Sequence, residues 1–220
     1  YYHSDPWRGT WAGEGGGVLL NQCPHQLDLL QWICGLPKTV QAFCLEGKWH
    51  DIEVEDDVTA YLQFENGATG VFITTTGDAP GTNRFEVTGT LGKLVCENDT
   101  LTFWKLSEDE REFCRTCPQG FAQPAWEKIT VETDGENPQH VGVLNAFAGA
   151  ILQGTPLVAE GKEGIRGLTL SNAMHLSSWL GKPVDIPFDE DLFLSELEKR
   201  RATSRQKEDK DITFSTEGTY

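Results

Sequence analysis

From Val40 to Thr133 the sequence keeps a period of two broken by turn residues, and this pattern leaves few folds open. Val58-Thr59-Ala60-Tyr61-Leu62-Gln63-Phe64 alternates, so one side of a strand faces a core. Glu65-Asn66-Gly67 reads as a hairpin turn, because Asn and Gly tolerate the backbone such turns require. Ala68 to Thr76 is the return strand. Further strands are predicted at Arg84 to Thr88, Lys93 to Cys96, Leu101 to Leu106 and Ile129 to Glu132. Gly89-Thr90-Leu91-Gly92 and Glu97-Asn98-Asp99 supply turns between them. Local connections of this kind join antiparallel neighbours.

Helical spacing flanks the strands. Val18, Leu19, Leu20, Leu27, Leu29, Leu30 and Ile33 suit a helix over residues 18–34 closed by Gly35 and Pro37. Pro24 either kinks that helix or opens its regular part. Val141 to Leu152, Lys162 to Leu180 and Glu190 to Arg201 are predicted helices, the first two ending at Gly154 and Gly181. Strands grouped between helices predict one α+β domain over residues 1–200. A charged tail over 201–220 follows, with a last short strand at Ile212-Thr213-Phe214.

Charge narrows the partners. Eighteen basic residues against thirty-four acidic ones give a net charge of −16, which repels a phosphate backbone. The basic cluster Lys199, Arg200, Arg201 and Arg205 is flanked by acids, so no nucleic acid is expected. No stretch nears the roughly 20 apolar residues of a membrane span. Six cysteines are too sparse for a disulfide scaffold, and reduced thiols in a cytoplasm are the simplest reading. The chain opens without a methionine or a leader pattern and is expected to continue a longer protein.

Few residues carry chemistry by spacing alone. Gly13-Glu14-Gly15-Gly16-Gly17 lacks the G-x-G-x-x-G spacing of a dinucleotide loop. It is either a turn feeding a helix or a backbone lying close to a ligand or another chain. Cys114 and Cys117 form one C-x-x-C, while a structural zinc site needs two further ligands. Asn21 and His25 are four apart and share a face if their segment is helical. An imidazole can take a proton near neutral pH; an amide can only orient a hydroxyl or the imidazole. Asp28, three residues on, could hold the ring or simply meet solvent. Trp7 and Trp11 with Arg8 between them suit a polyhydroxyl ligand, and they suit packing equally. His140 joins the candidate substrate contacts, although His140 and His175 taken singly read as structural. Asp56 and Asp57 are neighbours in a strand and face opposite ways.

The run from Trp7 to Trp32 resembles the Gfo/Idh/MocA oxidoreductases, the glucose-fructose oxidoreductase and inositol dehydrogenase relatives. The likeness rests on the Gly-rich stretch, on Asn21-Gln22-Cys23-Pro24-His25, and on the apolar helix ending in Gly35-Leu36-Pro37. Phe85 to Gly92, the Asn145-Ala146-Phe147 helix, Pro156-Leu157-Val158, Glu163-Gly164 and Pro183-Val184 follow in the family's order. The resemblance implies a largely antiparallel open β-sheet with helices packed on one face, and a homo-oligomer formed through the open sheet face. It implies an NAD(P)-dependent enzyme acting on a sugar, cyclitol or related polyol, with NAD or NADP bound mainly by a separate Rossmann domain. No cofactor-binding residue is expected in this chain. His25 matches the family's acid/base histidine. Asn21 stands where Asp is frequent, so it can orient but cannot share the proton. Trp7, Arg8 and Trp11 would place the polyol. An upstream cut also predicts a sheet lacking a strand, hence an open edge. Two other readings compete: a saccharide-binding or assembly domain without chemistry, and a zinc-supported domain using Cys114 and Cys117.

Overall fold

In the computed structural model residues 1–205 and 207 are described, and they divide into two compact units. The predicted strand at Ile212-Thr213-Phe214 lies outside the described residues.

The first unit comprises Tyr1–Gly77 and the described residues from Ala159 onward. It opens with an irregular loop and two short helices, α1 (Val18–Asn21) and α2 (Pro24–Cys34). Pro24 occupies the first position of α2, where its missing N–H is harmless, so a break rather than a kink separates the two helices. Three strands follow, β1 (Thr39–Glu46), β2 (Glu55–Gln63) and β3 (Thr69–Thr75). They pair antiparallel, with Val40 opposite Leu62 and Ala60 opposite Phe72. The Glu65-Asn66-Gly67 turn joins β2 to β3 as its residues predict.

The second unit, Asp78–Val158, is a meander of β4 (Arg84–Gly89), β5 (Gly92–Glu97) and β6 (Thr100–Leu106), then α3 (Glu110–Thr116), β7 (Trp126–Thr130) and α4 (Gln139–Gln153). Its four strands pair antiparallel in chain order. Helix α3 falls where the sequence predicts only a loop. Asp109 caps it by accepting from the Arg111 and Glu112 N–H groups at 2.9 and 3.1 Å. Helix α4 forms as its periodicity predicts, and its apolar Val141, Leu144 and Leu152 are exposed.

The chain then returns to the first unit with α5 (Gly164–Leu180), β8 (Val184–Asp185) and α6 (Glu190–Ala202). Gly154 and Gly181 close α4 and α5 in the left-handed conformation that a residue with a Cβ resists.

The architecture is α+β with all strand pairing antiparallel, and the strands form two four-stranded sheets, β3-β2-β1-β8 and β4-β5-β6-β7. In the first, Val40, Ala42, Val58, Ala60 and Leu62 point to one face and meet Leu27 of α2 with Leu170, Ala173 and Met174 of α5. The opposite face is open: Phe43, Tyr61, Val71 and Ile73 are all exposed. Beyond two-residue β8, part of the β1 edge is covered by a helix. Ala42 and Cys44 donate their N–H groups to Ser177 and Ser178 of α5 at 3.0 and 2.9 Å.

Candidate active site

Asn21 is the last residue of α1 and His25 the second of α2. The expectation of one continuous helical face therefore gives way to a break at Gln22 and Cys23. The break still belongs to one hydrogen-bonded run. Asn21 N donates to Gly17 O at 3.1 Å, Cys23 N to Val18 O at 3.0 Å, and Leu27 N to Cys23 O at 3.1 Å. His25 is exposed on the first turn of α2. Asp28 accepts from Gln31 Nε2 at 2.8 Å, so it serves its own helix rather than the His25 ring.

Asn21 joins a polar cluster that sequence reasoning missed. Its Nδ2 donates to Glu14 Oε1 and to the Tyr1 hydroxyl. Glu14 Oε2 also accepts from Gly9 N at 2.6 Å, and its side chain is only 6% exposed. Arg8 lies across the same group. Its Nε meets Asp5 Oδ2 at 3.0 Å, its Nη1 meets the Tyr1 hydroxyl, and its guanidinium stacks 4.0 Å over Tyr1 and 4.4 Å over Trp7. Trp7 is half exposed, so the cation–aromatic pair lies at the surface.

Trp11 goes the other way. It is buried with Tyr2, Ile52 and Val54, edge-on to His175 at 5.7 Å and to Trp179 at 5.5 Å. His175 is enclosed too, stacked on Trp179, with Nε2 2.9 Å from Glu55 Oε2 though out of line for a hydrogen bond. His140 opens α4 in the second unit.

The Gly-rich run packs on its own protein. A Cβ on Gly13 would sit 2.4 Å from the Trp7 carbonyl oxygen, and one on Gly17 would sit 2.0 Å from that of Glu55. At Gly13 and Gly17 the close approach its composition predicts is therefore to neighbouring backbone, while Gly15 has open space around it. Among the described residues no group of three or more His, Cys, Asp or Glu could hold a metal ion. Cys114 Sγ instead donates to Glu110 Oε1 at 2.9 Å, which raises its pKa because the thiolate would face the carboxylate. Burial pushes the Cys23 thiol up to about 12. Asp56 and Asp57 divide as their register predicts. Buried Asp56 accepts from the N–H groups of Lys48, Trp49 and His50, while Asp57 meets Lys48 Nζ and Trp49 Nε1.

Residues 1–95, which hold this whole cluster, match the GFO/IDH/MocA C-terminal domain family. Over that part the chain is similar to a Gfo/Idh/MocA C-terminal domain. Solved structures share the fold. The WlbA dehydrogenase from Bordetella pertussis, crystallised with NADH and UDP-GlcNAcA, superposes with a TM-score of 0.67 at 24% identity, over 86% of this chain and 51% of that one. Levoglucosan dehydrogenase with NADH and levoglucosan gives 0.63 at 19% identity, over 84% and 56%. Aldose-aldose oxidoreductase from Caulobacter crescentus gives 0.63 at 20% identity, over 82% and 50%. No curated protein matches. The chain thus spans about half the length of the solved structures it resembles. In those relatives that were crystallised with it, the cofactor is NADH.

Proposed function

We propose that this chain is the substrate-side part of a Gfo/Idh/MocA NAD(P)-dependent oxidoreductase acting on a sugar, cyclitol or related polyol. The observation that carries the reading is the exposed His25 imidazole, set one short break after an Asn21 whose side chain is already held. Both Asn21 Nδ2 donors are taken by Glu14 and Tyr1, so the amide has Oδ1 left to accept from a substrate hydroxyl. His25 takes the proton of the hydroxyl at the carbon being oxidised. Trp7 offers an aromatic face to sugar C–H groups, and Arg8 beside it fixes hydroxyls. Trp11 holds the loop from inside, and His140, which opens α4, stays a candidate substrate contact. Hydride acceptance is the chemistry of the nicotinamide, held elsewhere in the complete protein. Sugar complexes of the relatives support the substrate class.

The exposed Phe43, Tyr61, Val71 and Ile73 support a homo-oligomer formed face to face through the first sheet. A cytoplasmic setting suits six cysteines that are all free. No described helix is long and apolar enough to cross a membrane. The function is tested by screening the complete protein against sugars and polyols with NAD and NADP, following reduced nicotinamide. Turnover of at least one polyol is expected. Saccharide binding with no turnover across the panel would overturn the reading in favour of a non-catalytic binding domain.

A further inference from the structure

Two carboxylates of β2, Glu55 and Asp56, have no exposed surface. Asp56 closes the loop after β1. Glu55 reaches the opposite way, towards the start of α1, and the proposed chemistry leaves it unused. Helix α1 is a single turn, and Gly17 before it has no side chain to cap it. Glu55 supplies the acceptors from a neighbouring strand. Both of its oxygens lie 2.9 Å from Gly17 N, and Oε1 also accepts from Leu19 N at 3.0 Å. Oε2 lies 2.9 Å from His175 Nε2 of α5. A buried carboxylate satisfied by backbone N–H groups is costly to disturb, because removing its charge weakens those bonds and turns one of its two acceptors into a donor.

What this fixes is the turn that ends in Asn21. Leu20 N and Asn21 N both donate to Gly17 O at 3.1 Å, and the run through Cys23 leads on to the first turn of α2. Gly17 is pressed against β2 so closely that any side chain would strike the Glu55 backbone. We propose that Glu55 is a positioning residue: by holding Gly17 and Leu19 from β2, it sets where Asn21 and His25 stand. This rests on the catalytic reading of Asn21 and His25.

The test uses the complete protein and Glu55→Gln, which keeps the shape but not the charge. Glu65→Gln, in the exposed β2–β3 turn, is the control. Amide exchange read by mass spectrometry should show peptides over residues 16–22 as protected as β2 in the wild type. In Glu55→Gln their exchange should rise at least about tenfold while β5 and β6 stay unchanged. With a turned-over polyol, kcat should fall at least about tenfold and KM stay within about threefold, since displacement of a reacting group by about 1 Å can cost about a hundredfold in rate. Glu65→Gln should change neither. Unchanged exchange in Glu55→Gln, or loosened exchange with wild-type kcat, would overturn the proposal. If Glu55→Gln does not fold, rapid wild-type exchange over residues 16–22 would overturn it, and Glu55→Asp, with its shorter reach, should show the same loosening in part. A protein that turns over no polyol fails the catalytic reading alone, and the exchange measurement still decides what Glu55 holds.

Discussion

Gly17→Ala isolates the contact on which the placement of α1 depends. Gly17 has a φ of −118°, so an alanine there meets no left-handed strain, and the packing around the new Cβ is what it must fit. The added Cβ would lie 2.0 Å from the Glu55 carbonyl oxygen and 2.9 Å from Val54 Cγ2. Ordinary contact begins at about 3.4 Å, so strand and helix start would have to separate by more than 1 Å. Overpacking by one methyl typically costs about 1–3 kcal/mol, and a rigid backbone neighbour puts this case near about 3. Loss of unfolded-chain freedom returns about 0.4–1 kcal/mol of that. Gly167→Ala is the matched control. Gly167 lies inside α5 with nothing within 4 Å of the new Cβ, so alanine should stabilise by about 0.5–1 kcal/mol. Urea unfolding should therefore separate the two variants by about 3 kcal/mol, which is about 1 M or more in midpoint at a slope of about 1–3 kcal/mol/M. Equal midpoints would refute the claim that Gly17 is glycine because β2 leaves no room.

Two further expectations follow from the first unit. Ile73→Asp places a charge on the open sheet face, where Ile73 is 69% exposed, so it should leave the unfolding midpoint nearly unchanged and drive sedimentation towards monomer; an undiminished oligomer would remove that face from the assembly. Burial pushes the Glu53 carboxyl up, but hydrogen bonds from Ser204, Arg205 and Trp11 outweigh it and hold its pKa below the ordinary 4.5; Asp57, bonded by Lys48 and Trp49, is likewise held below 3.8. Carboxylates depressed in this way contribute fully above their unfolded values and lose that contribution as pH falls through the folded ones, so the urea midpoint should drop on the acid side of pH 4.5, and Glu53→Gln should flatten part of that drop.

Much of the first sheet is legible in the sequence, because a period of two with an Asn-Gly turn specifies both register and partner for β2 and β3. Gly77-Asp78-Ala79-Pro80-Gly81 marks a break between β3 and β4, but turn residues do not say whether the next strand joins the same sheet or opens a second one. Helix α3 is hidden because Glu110-Arg111-Glu112-Phe113-Cys114 buries no apolar stripe, and it forms instead on the Asp109 cap. The site is legible only where it is local. Asn21 and His25 stand out by spacing, and Trp7 with Arg8 by composition. Trp7 and Trp11 occupy the same kind of Gly-rich stretch, and only tertiary contact sends one to the surface and the other onto His175. Glu14 and Tyr1 reach Asn21 across 7 and 20 residues, and Glu55 reaches Gly17 across 38. Links of that length leave no periodicity to read.

The most direct test of the account is the turnover of His25→Ala in the complete protein, with the polyol and cofactor that the wild type uses. The account predicts a fall in kcat of at least about a hundredfold, the usual scale for removing a general base. Near-wild-type turnover would contradict it and leave His25 as a surface residue of α2.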